Sequence, residues 1–198
     1  MKTITLTIFI LFSSWTAFTQ SKKDVTIAFG IGAFNSPYYE NAHKREFYNF
    51  DFDYHIESRH ILSANFLKGS HRFYDNVHSN NAVPLNTPGY EDNANSEADY
   101  FTFSVLYKYK LVNSNKISVN LGAGAGIMTQ VILFPYTQGN MVDFRQSSWT
   151  NLVFPLRMET DYRIAKHFKV GLLAGFYINP NYAVLGNHLG LRLSYILK

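Results

Sequence analysis

Few residues in this chain have the types and spacing to do chemistry. Asp51 and Asp53 stand two apart in the run FYNFDFDYHI (residues 47–56), and Glu159 and Asp161 stand two apart between Arg157 and Arg163. Side chains at i and i+2 of an extended chain project from one face and sit close together. Such carboxylate pairs could exchange a proton with a substrate as acid and base. They could also form ion pairs with cations from neighbouring strands, which explains them without a reaction. His78-Ser79-Asn80 carries the residue types of a hydrolytic triad, but three contiguous loop residues do not hold nucleophile and base in hydrogen-bonding reach. His55 and His60 flank a turn and supply two ligands, fewer than a zinc site needs. Glu91, Asn93, Asn95, Glu97 and Asp99 alternate as calcium ligands do, yet Ser96 stands where the loop glycine is required. The GAGAG run at 122–126 lacks the helix and spacing of a phosphate loop. There is no cysteine, which excludes disulfides, thiolate metal sites and a lipid-modified N-terminal Cys. No catalytic residue, metal site or cofactor is expected.

The elements that carry these residues are strands. From Tyr48 on, Tyr48, Phe50, Phe52, Tyr54 and Ile56 alternate strictly with Asn49, Asp51, Asp53 and His55. That pattern gives an extended strand with one aromatic and one polar face. The same alternation predicts eight strands, at 24–34, 47–56, 60–68, 99–111, 117–127, 149–163, 168–178 and 188–197. Long polar connections at 35–45, 75–98, 131–148 and 179–187 alternate with short turns at 57–59, 112–116 and 164–167. Tyr38, Tyr39, Tyr90, Tyr136 and Tyr182 fall in the long connections, where they suit surface contacts and loop packing equally.

Composition separates a soluble barrel from a membrane one. The 198 residues include 17 Phe and 14 Tyr but only 16% charged residues. Mean hydropathy is slightly negative, −0.13, as it is for transmembrane barrels, in which half of each strand is polar. The net charge of +4 is scattered, so no nucleic-acid partner is expected. Residues 1–19 read as a secretory signal peptide: Lys2, an apolar stretch at 3–12, then Ala17 and Thr19 before the cleavage point. Residues 20–198 form one barrel domain. No later segment approaches the roughly 20 apolar residues of a membrane helix.

Two checks favour the membrane. Tyr54, Tyr107, Tyr109, Tyr162, Phe168 and Tyr195 fall near the short-turn ends as one aromatic girdle, and Tyr48, Phe101 and Trp149 begin another at the opposite rim. The parity that turns these rings toward lipid turns Asp51, Asp53, Lys108, Arg157, Glu159, Asp161, Arg163 and Arg192 inward as a lumenal ion-pair network. The glycines of strands one, five and seven would make room for the long cations opposite.

With its signal peptide and eight strands, and in LGAGAGI (121–127), FPLRMETDYRIAKHFKVGLLAG (154–175) and LGLRLSYIL (189–197), the chain resembles the small outer-membrane β-barrels of the OmpA/OmpX-like superfamily. The resemblance spans the mature chain. It implies an all-β, eight-stranded antiparallel up-and-down transmembrane barrel in the bacterial outer membrane, with both termini periplasmic. Relatives include anchors, adhesion and complement-resistance proteins and a few lipid-modifying enzymes. One departure is the ending Leu197-Lys198, where many such barrels carry a terminal aromatic residue. No peptidoglycan-binding domain follows, so a cell-wall anchor is not implied. The expected partners are outer-membrane lipid and an unidentified extracellular or envelope partner reached through the loops. The alternatives are a lipid A deacylase-like or acyltransferase-like barrel, a narrow channel, and a soluble lipocalin-like barrel with an apolar lumen.

Overall fold

The computed structural model describes residues 24–37, 43–73, 96–138, 141–181 and 183–197. The leader read at 1–19, the His78-Ser79-Asn80 run and Tyr38, Tyr39, Tyr90 and Tyr182 lie outside the described residues. Eight strands follow in order: β1 Val25–Asn35, β2 His43–His55, β3 His60–Phe73, β4 Ser96–Asn113, β5 Ile117–Gln138, β6 Met141–Arg163, β7 Phe168–Asn179 and β8 Ala183–Leu197. Each pairs antiparallel with the next, and β1 pairs with β8 from Val25↔Leu197 to Asn35↔Asn187, so the sheet closes. Closure leaves no edge strand in the ring itself, the condition for crossing a bilayer with strands.

The alternation decides which side chains face out. On β2, Tyr48, Phe50 and Phe52 are each more than 40% exposed, while Asn49, Asp51 and Asp53 are buried. The same holds around the ring, with Phe66, Phe103, Leu156, Leu172 and Leu191 outward. Continuous exposed apolar surface of this extent is not tolerated in water and is the belt of a lipid-facing barrel.

The strands run further at the long-connection end than the alternation predicts. The segment 131–148, expected as a loop, is instead a β-hairpin. The β5–β6 register continues from Val131↔Ser148 to Gln138↔Met141. Likewise 96–98, 43–45 and 183–187 are strand. Beyond the membrane both faces of a strand can be polar, so period-two contrast is lost while ladder hydrogen bonds persist.

The inward glycines act differently from expectation. Gly122 does admit Lys108, whose Cγ would lie 2.9 Å from an added Cβ. Gly175 instead admits the His188 ring at 2.6 Å, and Gly69 and Gly186 each admit Phe34 at 2.6 Å. Gly124 and Gly126 admit no side-chain cation: a Cβ there would meet the backbone oxygens of Val105 and Phe103. Most of these positions therefore serve aromatic rings or close strand approach rather than long cations.

Candidate functional site: the filled lumen

The four even-numbered strands send charge into the lumen near the short turns. Asp51 and Asp53 come from β2, Lys108 from β4, Arg157, Glu159 and Asp161 from β6, and Arg192 from β8. The odd-numbered strands answer with small or neutral groups, among them Gly30, Ser63, Asn65, Asn120, Gly122 and Gly171. The seven charged residues are at most 4% exposed.

Their geometry is that of a closed network. Arg157 binds Asp51 through both guanidinium ends, Nη1–Oδ1 at 2.9 Å and Nη2–Oδ2 at 2.5 Å, and its Nε lies 3.0 Å from Glu159 Oε1. Lys108 Nζ lies 2.8 Å from Asp53 Oδ1 and 2.7 Å from Glu159 Oε1. Arg192 reaches Asp53 at 2.7 Å, Glu159 at 3.0 Å and Asp161 at 3.0 Å. Neutral amides complete the shell: Asn65 Nδ2 donates to Asp51 Oδ1 at 2.8 Å, and Asn49 Nδ2 donates to Asp51 Oδ2 at 3.1 Å. Charges taken out of water are tolerated when each is paired, as here, although Arg157 Nε, Arg192 Nε and Glu159 Oε1 are held by charge proximity and not by well-aligned hydrogen bonds. A proton-transfer pair needs an approach for substrate, and these buried carboxylates offer none.

Arg163 is a correction to the expected set. Its parity is inward, but it is the last residue of β6, paired with Lys169, and is exposed where the lumen opens. It lines a polar hollow of about 260 Å³ with Lys110, Lys169 and His55, outside the buried network.

The other half of the lumen was not foreseen. Above the charges, toward the long connections, Phe34, Phe47, Leu67, Tyr100, Met128, Val153, Leu173, Tyr177 and Leu185 form a buried apolar cluster. Phe34 packs on Tyr100 with ring centroids 5.1 Å apart, and His188 lies between Phe47 at 5.1 Å and Tyr177 at 5.5 Å. A lumen filled by charged side chains throughout is therefore corrected to a charged layer beneath an apolar plug. The signal was present: Phe47-Tyr48, Phe66-Leu67, Tyr100-Phe101, Ile127-Met128 and Phe176-Tyr177 are apolar doublets, one ring or chain for each face.

The rings expected as a girdle sit on the outer wall near the short turns. Tyr107, Tyr162, Phe168 and Tyr195 are at least 40% exposed, and Tyr54 and Tyr109 are half-buried. Phe168 meets Tyr195 edge-on at 5.0 Å. The Tyr107 hydroxyl bonds the His60 ring, and Tyr109 accepts from Arg59 Nη1 at 3.4 Å. Trp149 departs from its expected place: it pairs with the inward Gln130 and so lies on the lumen-side face of the β5–β6 hairpin.

The remaining candidates do not assemble. His55 Nε2 bonds Thr26 Oγ1 at 2.9 Å while His60 bonds Tyr107, so the two histidines share no ligand position. Glu97 pairs with Arg45 at 2.6 Å, and Asp99 lies 3.9 Å from Lys68, so these two carboxylates join wall ion pairs, while Glu91, Asn93 and Asn95 lie outside the described residues. Among the described residues no group of three or more His, Asp or Glu is arranged to hold a metal ion.

Solved structures similar to this chain include small outer-membrane barrels. OprG of Pseudomonas aeruginosa superposes with a TM-score of 0.59 at 8% identity, covering 87% of this chain and 96% of that one. The chain has the eight-stranded β-barrel fold of these proteins. Ail of Yersinia pestis, solved in complex with the heparin analogue sucrose octasulfate, gives 0.57 at 10% identity over 89% and 100% of the two chains. Neisserial surface protein A gives 0.54 at 12% over 88% and 97%. No protein-family model and no curated protein matches the sequence. At these identities the barrel fold is shared, while the lumen composition and the hairpin must be read from this chain itself.

Proposed function

We propose that the chain is an integral outer-membrane protein without catalytic activity, with a sealed lumen, whose β5–β6 hairpin is its contact surface for an outside partner. In this reading residues 1–19 are the cleaved export signal and both termini are periplasmic. Tyr54, Tyr107, Tyr109, Tyr162, Phe168 and Tyr195 anchor the barrel at that interface. The observation that carries it is the interior. A salt-bridged layer and an apolar plug occupy successive halves of an eight-stranded ring, which side chains alone can fill. A channel needs a wet path through both layers. A lipid-modifying enzyme needs a reactive constellation on the outer wall, where the described polar groups Arg45, Lys68, Arg72, Glu97 and Asp99 are engaged with one another.

The hairpin supports the contact role. Pairing of β6 with β7 begins at Phe154↔Ile178, so among the described residues β6 from Met141 to Val153 has a strand partner on one side only. An unpaired edge offers main-chain donors and acceptors to an extended segment. Trp149, 48% exposed on it, is the residue type that anchors interfaces. Ail's complex with a heparin analogue favours ligand binding over catalysis for such barrels.

Two measurements test this. The purified barrel in planar bilayers is expected to show no unitary conductance; steps of nanosiemens size would overturn the sealed lumen. Photo-crosslinkers at Ser148 and Trp149 on living cells are expected to give discrete adducts that the same group at Lys116, in a short turn, does not. Equal labelling at all three positions would remove the hairpin from the proposal.

A further inference from the structure

The short-turn mouth of the barrel carries cations that the buried network does not use. Lys110 of β4, Arg163 of β6 and Lys169 of β7 line the polar hollow of about 260 Å³, with Asp24, His55 and Glu57 as its other titratable groups. Arg163 and Lys169 are register partners, directly opposite each other on one face. Like charges so placed repel. Both also repel Lys110. Yet among the described residues none of the three is in an ion pair. Three cations from three strands are thus gathered around one space without a contacting anion.

The carboxylates within reach do not cancel them. Asp24 attracts Lys110 and Asp161 attracts Lys169, but neither makes an ion-pair contact with it. Asp161 is held by Arg192 at 3.0 Å, and Glu57 lies 3.9 Å from the His60 ring. His55 is engaged with Thr26. The whole end of the barrel has the same sign. Arg59, Lys116 and Lys166 of the short turns bring its described cations to six, against Asp24 and Glu57. The network beneath has one carboxylate in excess, four against three, which leaves the balance positive. A concave site with one sign in excess concentrates counter-ions.

The donor set selects the counter-ion. Two ammonium groups and a guanidinium supply donors and no acceptor. They come from separate strands, so one ion that answers all three needs more than the two oxygens of a carboxylate. A tetrahedral oxyanion has them, and its bonds to cationic donors are of the strong, charge-assisted kind. We propose that the short-turn mouth holds one phosphate group, as the free ion or as a phosphomonoester, with its oxygens on Lys110 Nζ, the Arg163 guanidinium and Lys169 Nζ. The buried network beneath makes the hollow blind, so the anion binds there and does not pass. The inference rests on the membrane reading above for its compartment, since that reading turns this mouth to the periplasm.

The test titrates the full chain in mild detergent with inorganic phosphate, glycerol phosphate and acetate by calorimetry, at an ionic strength held constant with chloride. One saturable phosphate site per barrel is expected, with acetate weaker. Arg163→Gln and Lys169→Gln are each expected to weaken phosphate about fivefold, the scale of one partly exposed ion pair. Lys116→Gln, in a short turn outside the hollow, is expected to leave binding unchanged. Tighter glycerol phosphate would support the site with a phosphomonoester as its ligand, and tighter inorganic phosphate would support it with the free ion. No saturation by either, acetate binding as tightly as phosphate, or an equal loss in Lys116→Gln would overturn the site. A heat-dependent gel shift in each sample separates the two readings: its absence in the unaltered chain removes the membrane barrel, whereas a normal shift without phosphate binding removes only this site.

Discussion

Arg192→Met is expected to destabilise the folded barrel by about 3–5 kcal/mol, the scale for breaking a buried ionic network by removing one partner. The network holds four carboxylates, Asp51, Asp53, Glu159 and Asp161, against three cations, Lys108, Arg157 and Arg192. Arg192 alone touches all four, with Nε 3.5 Å from Asp51 and its two Nη atoms on the other three. Without it two cations face four buried carboxylates, and Asp161 loses the guanidinium that holds it. Arg192→Lys is expected to recover only part of the loss, because one ammonium atom cannot stand where Nε, Nη1 and Nη2 of Arg192 now reach four carboxylates. Asp161→Asn is the contrasting change. Its two short contacts, 3.2 and 3.0 Å, both come from Arg192 Nη1, and removing its charge brings the count to three against three. Its expected penalty is about 1 kcal/mol, that of one ordinary hydrogen bond. Urea titration of barrels folded into vesicles, read by the gel mobility shift, gives both values. Unchanged midpoints for Arg192→Met would show that the ring of strands holds without its charged layer. Because the network is buried, added salt should leave the difference intact, whereas a surface effect would be screened.

The part of this architecture that reads directly from sequence is the part that faces lipid. On the lower wall most outward positions are apolar and most inward ones are polar or small, as in Phe50-Asp51-Phe52-Asp53 and Leu156-Arg157-Met158-Glu159, with Ile61, Leu106 and Ile196 buried inward as exceptions. Strand number and facing follow from that contrast, and with them the convergence of charges from β2, β4, β6 and β8. Two things erase the contrast higher up. The apolar plug puts Phe47, Leu67, Tyr100 and Tyr177 inward beside Tyr48, Phe66, Phe101 and Phe176 outward, so neighbouring residues are alike although they face opposite ways. Past the rim, both faces of β6 are exposed from Arg145 to Thr150, and the strand there shows no period. Arg145, Gln146 and Ser148 read as a loop but are held in register with β5 by main-chain pairing. Which glycine serves which neighbour is likewise a long-range property. Gly69 and Gly186 lie far apart in the chain and meet at Phe34 only because the ring closes through β1.

That meeting point supports the second large effect. Phe34→Ala is expected to destabilise the barrel by about 3–5 kcal/mol, as for a fully buried aromatic side chain replaced by alanine. Phe34 is 0% exposed, packs on Tyr100 at 5.1 Å, and fits between β3 and β8 where both backbones lack a Cβ. A Cβ built on Gly69 would stand 2.6 Å from the Phe34 ring, and one on Gly186 the same distance from its Cζ. Gly69→Ala in the unaltered background is therefore expected to cost about 1–3 kcal/mol from overpacking. In the Phe34→Ala background the same change fills vacated space and should be neutral or mildly stabilising. The coupling between the two sites, obtained from the double-mutant cycle, should be of the order of 1–3 kcal/mol, and its sign decides the matter. Additive penalties would mean that Gly69 is required for its backbone alone and that Phe34 is not keyed into it. Compensation would show that the apolar plug is a fitted piece of the barrel interior.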